Sequence, residues 1–334
     1  MPTSLALDSP KTVHTSGQIV SVRLNHGGWG GYVSNIAGWK TWFEALIDAE
    51  YAQGLRAFRY WAAPLWYYGK VTTRTYNQTI CDEIVRYCYN KPEPVTVIID
   101  PEQVFPNGAY INSSTQLAWE NDLLRIGLRY NNYTNVILEG VGEYTGSDQV
   151  ALYNAAMAYL RRNGVTLPLL WNFWWNQPDV ALTDPLNNYA IGRHFYAPVA
   201  MQTVVHSYPA DLTTVTTDFY SGSSSIMTSM DSYFRSNNVY YIKYALQTLK
   251  IPLGFIATEV GPAASDPVLV ARSWKQYGQA YMMQFLREAK ANNITAIAYM
   301  AGNQAGDDQN ATESNYAYSW FNPGNNTVFP PGTW

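Results

Sequence analysis

Residues 95–142 read VTVIIDPEQV FPNGAYINSS TQLAWENDLL RIGLRYNNYT NVILEGVG. Two short apolar, β-branched runs, Val95–Asp100 and Asn135–Gly142, flank an amphipathic stretch, Ser114–Tyr130. Such runs read as strands buried on both faces, and strand–helix–strand is the repeating unit of a parallel sheet. Working outward, the same rhythm gives further strands at Ile19–Asn25, Leu55–Trp61, Leu167–Phe173, Tyr189–Phe195, Leu253–Glu259 and Ile294–Ala301. Helical patterns fill most gaps: Gly38–Gln53, Asn77–Tyr89, Asp148–Asn163, Ile226–Lys250 and Asp266–Asn292, with a weak one at Gln177–Asn188. Asp266 and Pro267 suit an N-cap and a first helical position. Eight strands alternating with helices is the closing number of the α/β class (β/α)8 TIM barrel. An open doubly wound sheet is the alternative, but Gly27-Gly28-Trp29-Gly30-Gly31 lacks the spacing of a phosphate-binding turn.

Two regions depart from the plain barrel. Ala197 to about Ser225 is a polar Ser/Thr/Tyr-rich loop, and residues 302–334 are rich in Asn, Gly and Pro. The eighth helix is thus missing or replaced by an irregular tail. We expect a single domain over residues 1–334, with the barrel core at about 19–301.

Composition narrows the class. Of 334 residues 47% are hydrophobic and 15% aromatic, with 12 Trp and 27 Tyr. Only 14% are charged, against roughly 25% in an average soluble protein. Net charge is −4 with no basic stripe, which excludes an ordinary nucleic-acid partner. No apolar run approaches the roughly 18 residues of a membrane span. Cys81 and Cys88 fall in one helical segment. Their Cα atoms would lie about 10 Å apart, too far for a disulfide, so two buried thiols are expected. There is no Gly-x-Ser-x-Gly elbow, no His-Glu-x-x-His helix and no metal spacing among four His. Asp307-Asp308 reads as a solvated turn rather than a calcium loop. No cofactor or metal is expected.

The opening MPTSLALDSP has no basic and apolar leader, while sequons occur at Asn77, Asn112, Asn132, Asn293, Asn310 and Asn325. The expected setting is extracellular, as a mature chain. A surface of neutral polar groups loses little when carboxylates protonate, so an acidic medium is one expected habitat, the alternative being that low charge reflects only a glycosylated secreted surface.

In such a barrel the chemistry sits at the carboxyl ends of the strands. Those ends carry Asn25, His26 and Trp29; Arg59, Tyr60 and Trp61; Asp100 and Glu102; Glu139 and Glu143; Trp171, Asn172 and Trp174; His194 and Tyr196; Glu259. Glu139 and Glu143, four apart, would share one face of a strand. Glu259 ends an otherwise apolar run. A buried carboxylate costs several kcal/mol unless paired or used. Either Glu alone could be a buried ion pair with Arg. Two at separate strand ends, amid Trp and Tyr, are what glycoside hydrolysis needs: one protonates the leaving oxygen, the other attacks the anomeric carbon. Aromatic rings stack on the C–H faces of sugars, although any single Trp can equally be core filler.

These strand ends resemble those of family 5 glycoside hydrolases, within the clan whose two catalytic Glu lie on strands four and seven. VRLNHGGWGGY, LRAFRYW, VTVIIDPEQ, LEGVGEYTG, RHFYAP and FIATEVG are similar to its motifs on strands one, two, three, four, six and seven. The resemblance implies Glu143 as acid/base, Glu259 as nucleophile, Arg59 holding the nucleophile, and His194 and Tyr196 at the sixth strand. Three positions depart from the pattern: Gly142 replaces the usual Asn, Glu102 or Gln103 the usual third-strand His, and YMAGNQ lacks the usual Trp. With Gly142, a hydrogen bond to the sugar 2-hydroxyl would be lost or come from Asn172 or Asn25. The reading is a retaining endo-β-1,4-glucanase acting on a polysaccharide or oligosaccharide. A β-mannanase, an exo-glycosidase of the same clan and a non-catalytic carbohydrate-binding barrel are the alternatives.

Overall fold

Eight parallel strands form the centre of the fold. They are β1 (Ile19–Val22), β2 (Ala57–Trp61), β5 (Thr96–Asp100), β7 (Val136–Glu139), β9 (Leu169–Asn172), β10 (Tyr189–Tyr196), β11 (Phe255–Gly261) and β12 (Ala296–Tyr299). They close on themselves in the order β1-β12-β11-β10-β9-β7-β5-β2. Each falls within or beside an expected run, and the protein is a (β/α)8 barrel. The computed structural model describes residues 19–22, 36–52, 57–61, 66–67, 70–71, 78–101, 104–105, 113–144, 146–173, 181–196, 247–261 and 296–299. The expected helices at 226–250 and 266–292, the 197–225 loop and the tail lie essentially outside these residues.

The helices described are α1 (Ile36–Ala52), α2 (Gln78–Tyr89), α3 (Ser113–Tyr130) and α4 (Gln149–Arg162). α2, α3 and α4 lay apolar side chains on the barrel, and α1 packs on α2. In α3, Trp119, Leu123, Ile126 and Tyr130 are buried, three and four residues apart as one helical face requires. Cys81 and Cys88 are buried thiols on α2 that form no disulfide. α4 ends where Gly164 takes φ +89° and the Val165 N–H donates to the Leu160 carbonyl. This is the six-to-one closure that favours glycine. The expected weak helix at 177–188 is not formed over its described part, 181–188. Asp184 instead accepts hydrogen bonds from the backbone N–H groups of Leu186 and Asn188, a local alternative to helix that short acidic side chains offer.

A feature with no counterpart in the expectations is a second, four-stranded sheet. Its strands are β3 (Trp66–Tyr67), β4 (Lys70–Val71), β6 (Val104–Phe105) and β8 (Glu143–Tyr144), in the order β4-β3-β6-β8. It joins the segments that follow β2, β5 and β7, so it stands on the carboxyl side of the barrel. It also corrects one expectation. Glu139 and Glu143 do not share a strand: β7 ends at Glu139, and Glu143 begins β8 after Gly140–Gly142. At Gly140 an added Cβ would lie 2.1 Å from the Trp171 ring, so only glycine fits where the chain leaves the barrel.

Among the described residues several charges form pairs that are buried or largely buried. Arg161 on α4 donates Nε–H and Nη2–H bonds to the two Asp184 oxygens at 2.9 and 2.8 Å, and bonds three backbone carbonyls as well. Arg129 pairs with Asp82. Such pairs tie part of the folding free energy to carboxylate ionisation, which bears directly on the expected acid tolerance. Burial pushes the Asp184 carboxyl up, but the Arg161 bonds and two backbone N–H groups outweigh it, and the net shift is downward. Burial likewise pushes the Asp48 carboxyl up, and the bonds from Lys91 and Tyr87 outweigh it, for a net shift downward. A carboxyl with a depressed folded pKa stabilises the fold above its unfolded value and loses that contribution as pH falls through the folded value. The melting temperature should therefore fall below about pH 4, the unfolded carboxylate range. Asp184→Asn should cost about 3–5 kcal/mol at neutral pH by leaving Arg161 buried without its counter-charge, and should flatten the acid limb. Thermal melts across that range check both, and an unchanged acid limb in the variant would refute the assignment.

Candidate active site

The barrel interior is layered. Ile98, Ile137, Leu170, Ala190 and Ile256 form one buried apolar cluster drawn from β5, β7, β9, β10 and β11. Side chains two residues further along a strand return to the same face. On β5, β7 and β9 that step leads to Asp100, Glu139 and Asn172, all buried. The barrel is thus filled by an apolar layer with a polar layer above it, toward the carboxyl ends.

Arg59 of β2 organises this polar layer. It is 4% exposed, beside Glu139 at 0% and Asp100 at 1%. Its Nε–H and Nη2–H groups donate to the two Glu139 oxygens at 2.7 and 2.8 Å, and Nη2–H also donates to Asp100 Oδ2 at 2.5 Å. The fork of the guanidinium matches a carboxylate bidentately, the geometry in which such a pair is strongest. Glu139 therefore has the ion-pair role open to a buried Glu. Glu139 and Asp100 are partners that no expectation had joined to Arg59. Asp100 was a signal in the sequence of the same kind as Glu259: one acid ending an apolar run, VTVIID.

Asn172 extends the layer. Its Nδ2–H₂ donates to the Gly142 carbonyl at 2.7 Å and lies 3.4 Å from Glu139 Oε1. Its own carbonyl accepts from the Tyr153 hydroxyl at 2.6 Å. Burial holds the Tyr153 phenol well above its usual pKa, so it stays a donor. Trp171, the neighbour of Asn172, points the other way. It is 0% exposed, stacked on Tyr153 at 4.8 Å between centroids and edge-on to Trp119 at 6.2 Å. Trp171 is therefore core filler between the barrel and α3/α4, not a sugar platform, because successive strand residues face opposite sides.

Glu143 stands on β8, with Val104 its register partner on β6. Glu259 stands on β11, in register with His194 on β10 just after a shift at Arg193/His194. Tyr196 ends β10 and Trp61 ends β2. Counting round the barrel, Glu143 follows the fourth strand and Glu259 lies on the seventh. Asn25, Trp29, Glu102 and Trp174 lie outside the described residues. Among the described residues no group of three or more His, Cys, Asp or Glu is placed to hold a metal, and no helix is long and apolar enough to cross a membrane.

Gly142 has a structural reason. A Cβ there would lie 3.2 and 3.4 Å from the Asp100 oxygens and 3.7 Å from Arg59 Nη2. Asp100 is locked on Arg59 and has little room to yield. Gly142→Asn, which restores the residue of the family pattern, should therefore destabilise by about 1–3 kcal/mol and lower kcat/KM. Melting temperature and turnover measure the two effects; a variant that is both more stable and more active would overturn this view.

A family model described as "Cellulase (glycosyl hydrolase family 5)" matches residues 29–303. Among solved structures the chain is similar to the catalytic domain of CelCCA, with 14% identity, 95% of this chain and 92% of that chain covered, and a TM-score of 0.54. It is similar to cellulase Cel5C_n, with 15% identity, 92% and 82% covered, and a TM-score of 0.53. It is also similar to a GH5 family lichenase from Caldicellulosiruptor sp. F32, with 15% identity, 88% and 90% covered, and a TM-score of 0.52. At these identities the likeness is one of fold. No curated protein matches the sequence.

Proposed function

The chain belongs to glycosyl hydrolase family 5, the cellulase family, and from that premise we propose a retaining, endo-acting hydrolase of β-1,4-glucan with Glu143 as acid/base and Glu259 as nucleophile. The observation that carries the reading is the placement of these two residues at the carboxyl side of the fourth and seventh barrel strands. In a barrel that end is where reacting groups meet a substrate.

In the first displacement Glu259 attacks the anomeric carbon while the bond to the leaving oxygen breaks and Glu143 gives that oxygen its proton. In the second, water attacks the same carbon, Glu143 takes the water's proton, and Glu259 leaves as carboxylate. The carboxyl groups then stand about 5–5.5 Å apart, too close for an intervening water and suited to retention. Their pKa values must be pushed apart, one kept protonated and one ionised. Arg59, which also fixes Glu139 and Asp100, is the proposed residue that holds Glu259. His194, Tyr196 and Trp61 are the proposed neighbours of the sugar on described strands, with Asn25, Trp29, Glu102 and Trp174 proposed from the sequence. The sequons support an extracellular setting, and the single (β/α)8 rhythm supports one domain over residues 1–334.

Incubation with a panel of β-glucans and β-mannans, scored for new reducing ends, tests the reading. Rapid viscosity loss of a soluble β-1,4-glucan, with the anomer formed first having β configuration by NMR, is the expected result. Release from mannan alone, from chain ends alone or from no polysaccharide would replace it with a mannanase, an exo-enzyme or a non-catalytic barrel respectively.

A further inference from the structure

Glu143 is bracketed by two buried side-chain amides. Asn172 of β9 donates to the carbonyl of Gly142, the residue before it, at 2.7 Å. Gln149, the first residue of α4, donates its Nε2–H to the carbonyl of Tyr144, the residue after it. Both amides are buried, at 0% and 4% exposure. The Tyr144 ring is itself buried, tilted against Tyr153, with its hydroxyl donating to Asp148. β8 is only two residues long and pairs with β6, another two-residue strand. So short a ladder leaves the chain free to pivot unless something else holds it. The Gly142 carbonyl lies in the peptide plane that precedes the Glu143 Cα, and the Tyr144 carbonyl in the plane one residue beyond the one that follows it, so the two bonds clamp the Gly142–Tyr144 segment on both sides of Glu143.

We propose that Asn172 and Gln149 are positioning residues for Glu143: their amides fix the backbone on either side of the acid/base and so set its aim at the glycosidic oxygen. Asn172 then serves the reaction through the Gly142 carbonyl, a role distinct from a hydrogen bond to the sugar. The proposal rests on the reading of Glu143 as acid/base. Misaim of a reacting group by about 1 Å can cost about 100-fold, and the loss should appear only in steps that need proton transfer.

The experiment compares kcat/KM on dinitrophenyl β-cellobioside, whose leaving group needs no protonation, with kcat/KM on unactivated cello-oligosaccharide. For Asn172→Ala and Gln149→Ala the oligosaccharide value should fall about 10–100-fold, with the activated value changed less than about threefold. In a Glu143→Ala background neither substitution should cost anything more on the oligosaccharide, since the group being aimed is gone. Asn131→Ala is the structural control. That amide bonds the Gly164 carbonyl far from the site, and its loss should lower the melting temperature without separating the substrates. Should Asn172→Ala not fold, Asn172→Ser and Gln149→Ala at the helix end carry the same comparison. Equal losses on both substrates, or full further losses in the Glu143→Ala background, would overturn the proposal alone. If Glu143→Ala itself fails to separate the two substrates, the acid/base reading and this proposal fall together.

Discussion

Glu259→Gln is expected to lower kcat by about 10⁵-fold, some 7 kcal/mol of transition-state stabilisation, because the amide cannot form the glycosyl ester. The substitution keeps the size of the side chain and its capacity to accept a hydrogen bond. Folding and sugar affinity should therefore survive: the melting temperature stays within a few degrees, and calorimetric binding of a cello-oligosaccharide remains measurable. The position explains the specificity of the effect. Glu259 lies on a barrel strand, paired in register with His194, rather than in a loop that could re-aim another carboxylate. Glu139, itself at the end of a barrel strand, is bound bidentately by Arg59 and cannot substitute. Retention of a tenth or more of the wild-type rate would show that the nucleophile is another group.

The barrel was legible because it is written in long-range pattern. Eight apolar runs separated by amphipathic stretches leave few topologies, and a buried strand such as Thr96–Asp100 announces itself by being apolar almost throughout. The second sheet was not legible. Strands of two residues, such as Val104–Phe105 and Glu143–Tyr144, contain no period to detect; they exist because neighbouring loops lie side by side. The break between Glu139 and Glu143 was hidden for a related reason: Gly140 can be read as part of a strand, and its need to be glycine comes from the Trp171 ring, a contact over 31 positions.

Site residues divide along the same line. Glu143 and Glu259 stood out as acids in a charge-poor sequence. What their neighbours do depends on direction, which one residue of parity decides. On Leu169–Asn172 the alternation that sends Leu170 and Asn172 inward sends Trp171 outward to Trp119 and Tyr153. Strand parity along the run LLWN is enough to separate the core tryptophan from the polar site residue beside it. The Arg59–Glu139–Asp100 network needed more, namely the register that places β2, β5 and β7 side by side. Each partner was visible as a lone charge in an apolar run, and the rule that buried charges are paired makes three such neighbours a network.

Glu143→Ala should lower kcat/KM on unactivated oligosaccharide by about 10²–10⁴-fold, the usual worth of general acid catalysis. On dinitrophenyl β-cellobioside the same parameter should change little, because a stable phenolate departs without a proton. The glycosyl-enzyme would then accumulate, since water now lacks the base that activates it. Azide, an anion that needs no base, should release it and restore turnover. Because Glu259 has already inverted the anomeric carbon once, attack by azide inverts it again, and the adduct must be the β-glycosyl azide. The pH profile offers an independent readout. The wild-type rate should fall on the alkaline side as Glu143 loses the proton it must donate, and that limb should vanish in the variant while the acid limb, set by Glu259, remains. Equal losses on both substrates, or an α-configured azide adduct, would remove Glu143 from the acid/base role and the double displacement with it.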